Sequence, residues 1–375
     1  MNRSIWLLPQ WWQDVDRVLL ASVLGLMAFG VIVIFSTGPS HADRIGLPEN
    51  YMIIRHALYV GCAVAITVFV SMWRESRAGI ISFFIYLLGL IGVVATLLYG
   101  QIIKGASRWL YTPLGSIQPS EFVKIGFVVT VAALLAYGHD RNSYKGFWMS
   151  FVLLVITTGL FLLQPDIGMS LIIVSAWLAQ VFVVGIAWWW LALIICFAGG
   201  FAFYCYLTFD HVQLRIDRFL GLSGDSVGYQ VERSLTAMAS GEWWGVGAGA
   251  GTIKRHLPDS HADFVFAVVV EEFGAVIGLV LLMVILLIAL RALAGTRHCD
   301  MRASLACTGL VCLTMMQAVA NVGSAIGLLP PKGSTLPFIS YGGSSLWANA
   351  LAWGLILAFL RSRSDHGFRR RWRSV

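Results

Sequence analysis

Ten runs of mainly apolar residues, each close to 20 residues long, recur from one end of this chain to the other. A helix needs about 20 such residues to cross roughly 30 Å of hydrocarbon. Inside lipid every backbone N–H and C=O must find its partner within the protein, so runs of this kind are helices. They fall at about 17–37, 56–72, 79–99, 120–137, 147–163, 168–184, 187–207, 264–290, 303–328 and 346–361. The break between the fifth and sixth runs, at "QPDIG", is the least marked. Charged residues make up 12% of the 375 residues, about half the share in a soluble domain. The predicted fold is therefore an all-α polytopic membrane protein. A single integral domain spans 1–375, with about ten transmembrane helices and a large loop between helices seven and eight.

Charge gives the orientation. With the N-terminus in the cytoplasm and sides alternating, the cytoplasmic segments hold 15 Lys/Arg and six acids, a balance of +9. The other side holds 11 Lys/Arg and 13 acids, a balance of −2. Lys and Arg near helix ends stay inside, so both termini are expected in the cytoplasm. The basic tail 362–375 reads as a topology anchor near anionic lipid, not as a nucleic-acid element. Trp6, Trp11 and Trp12 suit an interfacial belt ahead of the first run, and no cleavable signal peptide is evident. The six cysteines include no C-x-x-C pair and read as small membrane hydrophobes.

Three segments on the outer side are expected to be non-helical and to build one outward-facing cavity: 100–119, 208–263 and 329–345. A loop of about 55 residues is usually functional where other connections are short. Within it "GVGAGAG" (245–251) lacks the strand and helix of a nucleotide-binding unit. It reads instead as a re-entrant turn where backbone passes close to a ligand or another helix. "DSHAD" alternates Asp259, His261 and Asp263, but no second cluster completes a zinc site.

The stretch "LPDSHADFVFAVVVEEFG" (257–274) concentrates acids at the mouth of an apolar run. Asp263 sits at the membrane–water boundary, where partial desolvation suits a general base. Glu271 and Glu272 lie deeper. If the helix is continuous, Glu271 is about 12 Å along from Asp263. For this pair a structural partner such as Lys124, Arg233 or a backbone site competes with a functional role. Lys104, Arg108, Arg215, Arg218, Arg233, Lys254, Arg255 and Lys332 supply positive charge on the same side. Basic groups above an apolar groove suit a lipid-linked phosphate.

"GASRWL…GSIQPSEFVK", "LLQPDIGMSL", the segment 229–274 and "GLLPPKGSTLPFISYGGSS" resemble, in order, the signature segments of the SEDS (shape, elongation, division, sporulation) family. The loop sequences are more similar to its division-type members than to its elongation-type members. The resemblance implies a peptidoglycan glycosyltransferase that polymerises lipid II during septal wall synthesis, in the bacterial inner membrane with its site facing the periplasm. It implies a class B penicillin-binding protein transpeptidase and other division proteins as partners. By motif position Asp263 is the catalytic residue. The candidate substrate-binding set is Arg108, Lys332, Arg233, Lys124, Glu271 and Ser344. No metal ligand is assigned, although a divalent cation such as magnesium would suit the leaving pyrophosphate. Ala262 stands where the family commonly has Thr, and "VVVEEFG" where a small residue often precedes the acid pair. A lipid flippase, the elongation-type enzyme and a non-catalytic scaffold remain alternative readings.

Overall fold

The computed structural model describes residues 7–44, 46–101, 106–112, 115–185, 227–330 and 333–372, with a few isolated positions between 196 and 217. A short helix, α1 (Leu7–Asp14), precedes α2 (Arg17–Arg44), α3 (Tyr51–Ser71) and α4 (Glu75–Tyr99). A two-stranded antiparallel hairpin follows, β1 (Leu110–Thr112) and β2 (Gly115–Ile117), with Leu110 opposite Ile117. Then come α5 (Pro119–Asp140), α6 (Lys145–Leu163), α7 (Ile167–Val184), α8 (Val227–Gly241), α9 (Val265–Gly295), α10 (Met301–Ala325) and α11 (Gly343–Trp372). Among the described residues nine helices are long and apolar enough to cross a membrane: α2 to α7 and α9 to α11. The expected helix 187–207 lies largely outside the described residues.

Local chemistry sets the ends. Pro119 opens α5 at a position whose N–H would have no helical acceptor. At "QPDIG" Asp166 caps α7 by accepting the Met169 N–H at 3.1 Å. Asp300 caps α10 through the Ala303 N–H at 3.2 Å. Burial then sorts the helices. The hydrophobic window of α11 is 89% buried and that of α3 only 22%, so α11, with α5 and α10, forms the interior while α3, α4 and α6 lie at the rim. The α11 helix runs on to Trp372, so the backbone of the basic tail is helical through most of 362–375.

Two expectations need correction. The segment 208–263 is not without helix: α8 occupies 227–241. Ser234, Ala237 and Gly241 recur at three- and four-residue spacing and are its buried face, against α9 and α10. A search for long apolar runs passes over such a short, half-polar helix. Nor is the eighth membrane helix regular. Asp263 belongs to a turn, α9 begins at Val265, and Gly274 breaks it with φ 86° and ψ 164°. That conformation is open almost only to glycine. The glycine-rich segment repairs the break. Val246 and Gly247 donate to the carbonyls of Glu271 and Glu272, both at 3.0 Å. Ala275 donates to the Glu242 carbonyl at 2.9 Å. "GVGAGAG" is thus a close approach to another helix, one of the two roles its composition allowed.

Candidate active site

Asp263 closes a tight turn. Its N–H and that of Ala262 both donate to the Asp259 carbonyl at 3.0 Å. Asn321, fully buried in α10, locks this turn to the loop before α11. Its side-chain amide donates to the carbonyls of Asp263 at 2.9 Å and Ser334 at 2.7 Å. Ser340 Oγ adds a bond to the Ala262 carbonyl at 2.7 Å. The Asp263 side chain is half-buried. A Cβ placed on Gly333 would lie 3.8 Å from Asp263 Oδ2. Gly333 has φ +70°, so this wall of the site is bare backbone.

A cavity of about 220 Å³ opens beside this wall, lined by Arg108, Gln118, Glu121, Asp166, Gln317 and Gly333 among others. Segments 100–119 and 329–345 line it as expected, but among the described residues none of 208–263 does: the Asp263 carboxylate approaches Gly333 and is not itself part of the lining. Arg108 Nε lies 3.4 Å from Asp166 Oδ2, and Arg108 Nη2 donates to the Pro165 carbonyl at 2.5 Å. Burial raises the pKa of Asp166, opposed by Arg108 and by the Met169 N–H.

Beneath the cavity Lys124 Nζ meets Glu121 at 2.6 Å and donates to Gln317 Oε1 at 3.1 Å. Gln317 donates in turn to Thr335 and Ser345, both at 3.0 Å. Lys124 is thus engaged below the opening, while Glu121 and Gln317 line it. Ser344 accepts the Gln118 N–H at 3.1 Å and donates to the Ser116 carbonyl at 3.4 Å, fastening the hairpin to α11.

Other predicted residues are held elsewhere. Glu271 accepts the N–H groups of Ile253 at 2.8 Å and Lys254 at 3.0 Å, so its carboxylate is used by a backbone turn and lies off the cavity. Arg233 stacks over the Tyr229 ring at 5.1 Å, also away from the lining. Lys332 lies outside the described residues, as do Lys104, Arg215 and Arg218. Among the described residues no three His, Cys, Asp or Glu side chains group as ligands for a metal ion. Glu121, Asp166, Gln317 and Asn321 were not among the predicted site residues. The available signal was the placing of polar side chains inside apolar helices, which marks cavities and partners.

These features define a polytopic membrane protein with a largely apolar cavity that presents Arg108, Glu121, Asp166 and Gln317 at one end of the bundle, and a half-buried carboxylate beside its wall. Residues 16–365 match the family model described as "Cell cycle protein", and the chain belongs to this FtsW/RodA/SpoVE family. It is 34% identical over 359 residues to the probable peptidoglycan glycosyltransferase FtsW of Caulobacter vibrioides, covering 94% of this chain and 91% of that protein. The protein of the same description from Coxiella burnetii is 34% identical over 361 residues, with 91% and 95% covered. Among solved structures, the rod shape determining protein RodA of Thermus thermophilus superposes with a TM-score of 0.68 at 26% identity, over 93% of this chain and 97% of that one. A chain of a peptidoglycan synthase complex coordinating polymerization and crosslinking gives 0.74 at 24% identity, which speaks for the fold.

Proposed function

We propose that this chain is a peptidoglycan glycosyltransferase that polymerises lipid II into glycan strands during septal wall synthesis. The observation that carries the reading is the pairing of Asp263 with the Gly333 wall of a cavity that also presents Arg108. This pairing sits at the head of an apolar bundle, where a lipid-linked donor places its pyrophosphate.

In this reaction Asp263 takes the proton from the acceptor sugar's 4-hydroxyl. The oxygen attacks the anomeric carbon of the donor, the bond from that carbon to undecaprenyl pyrophosphate breaks, and the configuration inverts. Arg108 and Lys332 balance charge on the leaving pyrophosphate. Asn321 and Ser340 hold the Asp263 turn by its backbone, so the carboxylate stays aimed while its protonation changes. Glu121, which lines the cavity, is neutralised by Lys124 beneath it.

The cavity faces the periplasm, both termini lie in the cytoplasm and the protein resides in the inner membrane at the septum, in keeping with the +9 and −2 charge balance. A class B penicillin-binding protein transpeptidase docks its single span through α9 or α10 and the outer loops, together with other division proteins. The test is to purify the chain with this partner, add lipid II and look for glycan polymer. Absence of polymer from a folded, partner-bound protein overturns the reading.

A further inference from the structure

The turn that carries Asp263 has a second neighbourhood, built of rings. His261, two residues before Asp263, packs edge-on to Tyr341 with ring centres 5.6 Å apart, and the Tyr341 N–H donates to the His261 carbonyl at 2.9 Å. Tyr341 meets Tyr59 of α3 at 6.0 Å, and Tyr59 meets Trp347 of α11 edge-on at 5.6 Å. One turn earlier on α3 the Arg55 guanidinium lies over Tyr51 and Tyr59, at 5.2 Å and 5.6 Å, and donates to Tyr51 Oη at 2.5 Å. Arg55 also reaches the hairpin: a Cβ on Gly115 would lie 3.4 Å from its Nη2.

These rings do not form a simple interfacial belt. They turn toward one another and toward the Asp263 turn, and each of Tyr51, Arg55, Tyr59, Tyr341 and His261 keeps part of its surface open. Behind them His56 is 1% exposed, and neither of its ring nitrogens has a hydrogen-bond partner among the described residues. Its ring centre is 5.9 Å from that of Tyr341. A buried, unpartnered imidazole facing a half-open aromatic group suits a site completed by a polar, ring-bearing ligand. Burial pushes the Tyr341 phenol up to about 12, so it stays a neutral donor at physiological pH.

We propose that Tyr51, Arg55, Tyr59, His261 and Tyr341 form a saccharide platform that holds the glycan strand on the α3 side of Asp263. The flat faces of amino sugars lie on the rings, and Arg55 takes an acyl or carboxylate oxygen of the glycan's substituents. The proposal rests on the glycosyltransferase reading and adds to it a site for the growing strand.

The test compares Tyr59→Leu with Tyr59→Phe, and Arg55→Gln beside them, in the full chain with its transpeptidase partner. Two readouts are needed: the length distribution of glycan made from labelled lipid II, and calorimetric binding of soluble peptidoglycan-backbone oligosaccharides. An aromatic contact has a strength equivalent to about a threefold to tenfold change in affinity. Tyr59→Leu and Arg55→Gln should shorten the glycan and weaken oligosaccharide binding by about that factor, while Tyr59→Phe keeps both. If Leu and Phe variants match the unmodified protein, or lose both properties together with melting temperature, the ring cluster is packing and the proposal fails. Polymer made with no Leu–Phe difference overturns the platform alone. Oligosaccharide binding with the Leu–Phe difference but no polymer supports the platform and overturns the enzymatic reading.

Discussion

Arg108 holds the Pro165–Asp166 corner at two points, its Nε 3.4 Å from Asp166 Oδ2 and its Nη2 on the Pro165 carbonyl. Asp166 is also the cap of α7, so one carboxylate serves both cavity and helix. Asparagine caps a helix as well as aspartate. Asp166→Asn should therefore fold, with a loss within about 1 kcal/mol at neutral pH. Arg108→Ala should cost more, about 1–3 kcal/mol, because it leaves a buried carboxylate without its cation.

The same pair gives a pH dependence with a defined sign. Burial raises the Asp166 pKa above 3.8, so the fold favours the protonated acid. Its stabilising contribution is full below 3.8 and is lost as pH rises through the higher folded-state value. Melting curves taken from neutral pH downward should show the unmodified protein gaining on Asp166→Asn. A constant difference across that range would contradict the burial argument.

Lys254 and Glu272 form another buried pair, joined by Ser36 of α2, whose carbonyl and hydroxyl accept from Lys254 Nζ at 3.0 Å and 2.9 Å. Removing one member of a buried pair costs about 3–5 kcal/mol, whereas replacing both with matched apolar or neutral groups costs far less. Lys254→Met should thus lower the melting temperature sharply. Adding Glu272→Gln should recover much of the loss, and a double variant as unstable as the single would mean the pair is not what ties α2 to α9.

Much of this fold can be read from the sequence. Recurrence of apolar runs places the nine described membrane helices, and the proline in "QPDIG" marks the break that Asp166 caps. Asp263 stands out because it precedes an apolar run. What stays hidden depends on contacts distant in sequence. Nothing local in "VKIGF" or "MMQAVANVG" says that Lys124 and Gln317 meet, or that Asn321 grips the turn 58 residues earlier. Glu271 looks like a site acid until the chain returns over it and donates two backbone N–H groups. The break at Gly274 is equally silent, since "FGAVIGLV" reads as continuous helix.

That break provides its own test. Gly274 occupies a backbone region closed to other residues, at a strain of about 1–3 kcal/mol for a substituted side chain. A Cβ there would also meet the Trp244 carbonyl carbon at 2.5 Å and the Gly245 nitrogen at 2.6 Å. Gly278→Ala is the control: its Cβ meets side chains, Val270 Cγ2 at 2.9 Å and the Phe266 ring at 3.4 Å, which can shift. Thermal melting should show a far larger loss for Gly274→Ala than for Gly278→Ala. Equal losses would mean that the crossing segment 242–247 moves freely.

The most direct test of the proposed chemistry is Asp263→Asn. Asparagine keeps the size and hydrogen-bonding capacity of the side chain but cannot accept the acceptor's proton. A general base contributes about 10²–10⁴-fold, so polymerisation of lipid II should fall to near background. The fold should persist, because Asn321 and Ser340 grip this turn by the carbonyls of residues 262 and 263, which the substitution leaves in place. Melting temperature and partner binding should therefore change little, which separates lost chemistry from lost structure. A flippase would give the reverse pattern. There the buried polar groups along the bundle, Glu121, Lys124 and Asp166, would govern transport, and Asp263 at the mouth would matter little. If Asp263→Asn polymerises lipid II at the unmodified rate while Asp166→Asn folds normally and blocks lipid translocation, the glycosyltransferase assignment is wrong and transport takes its place.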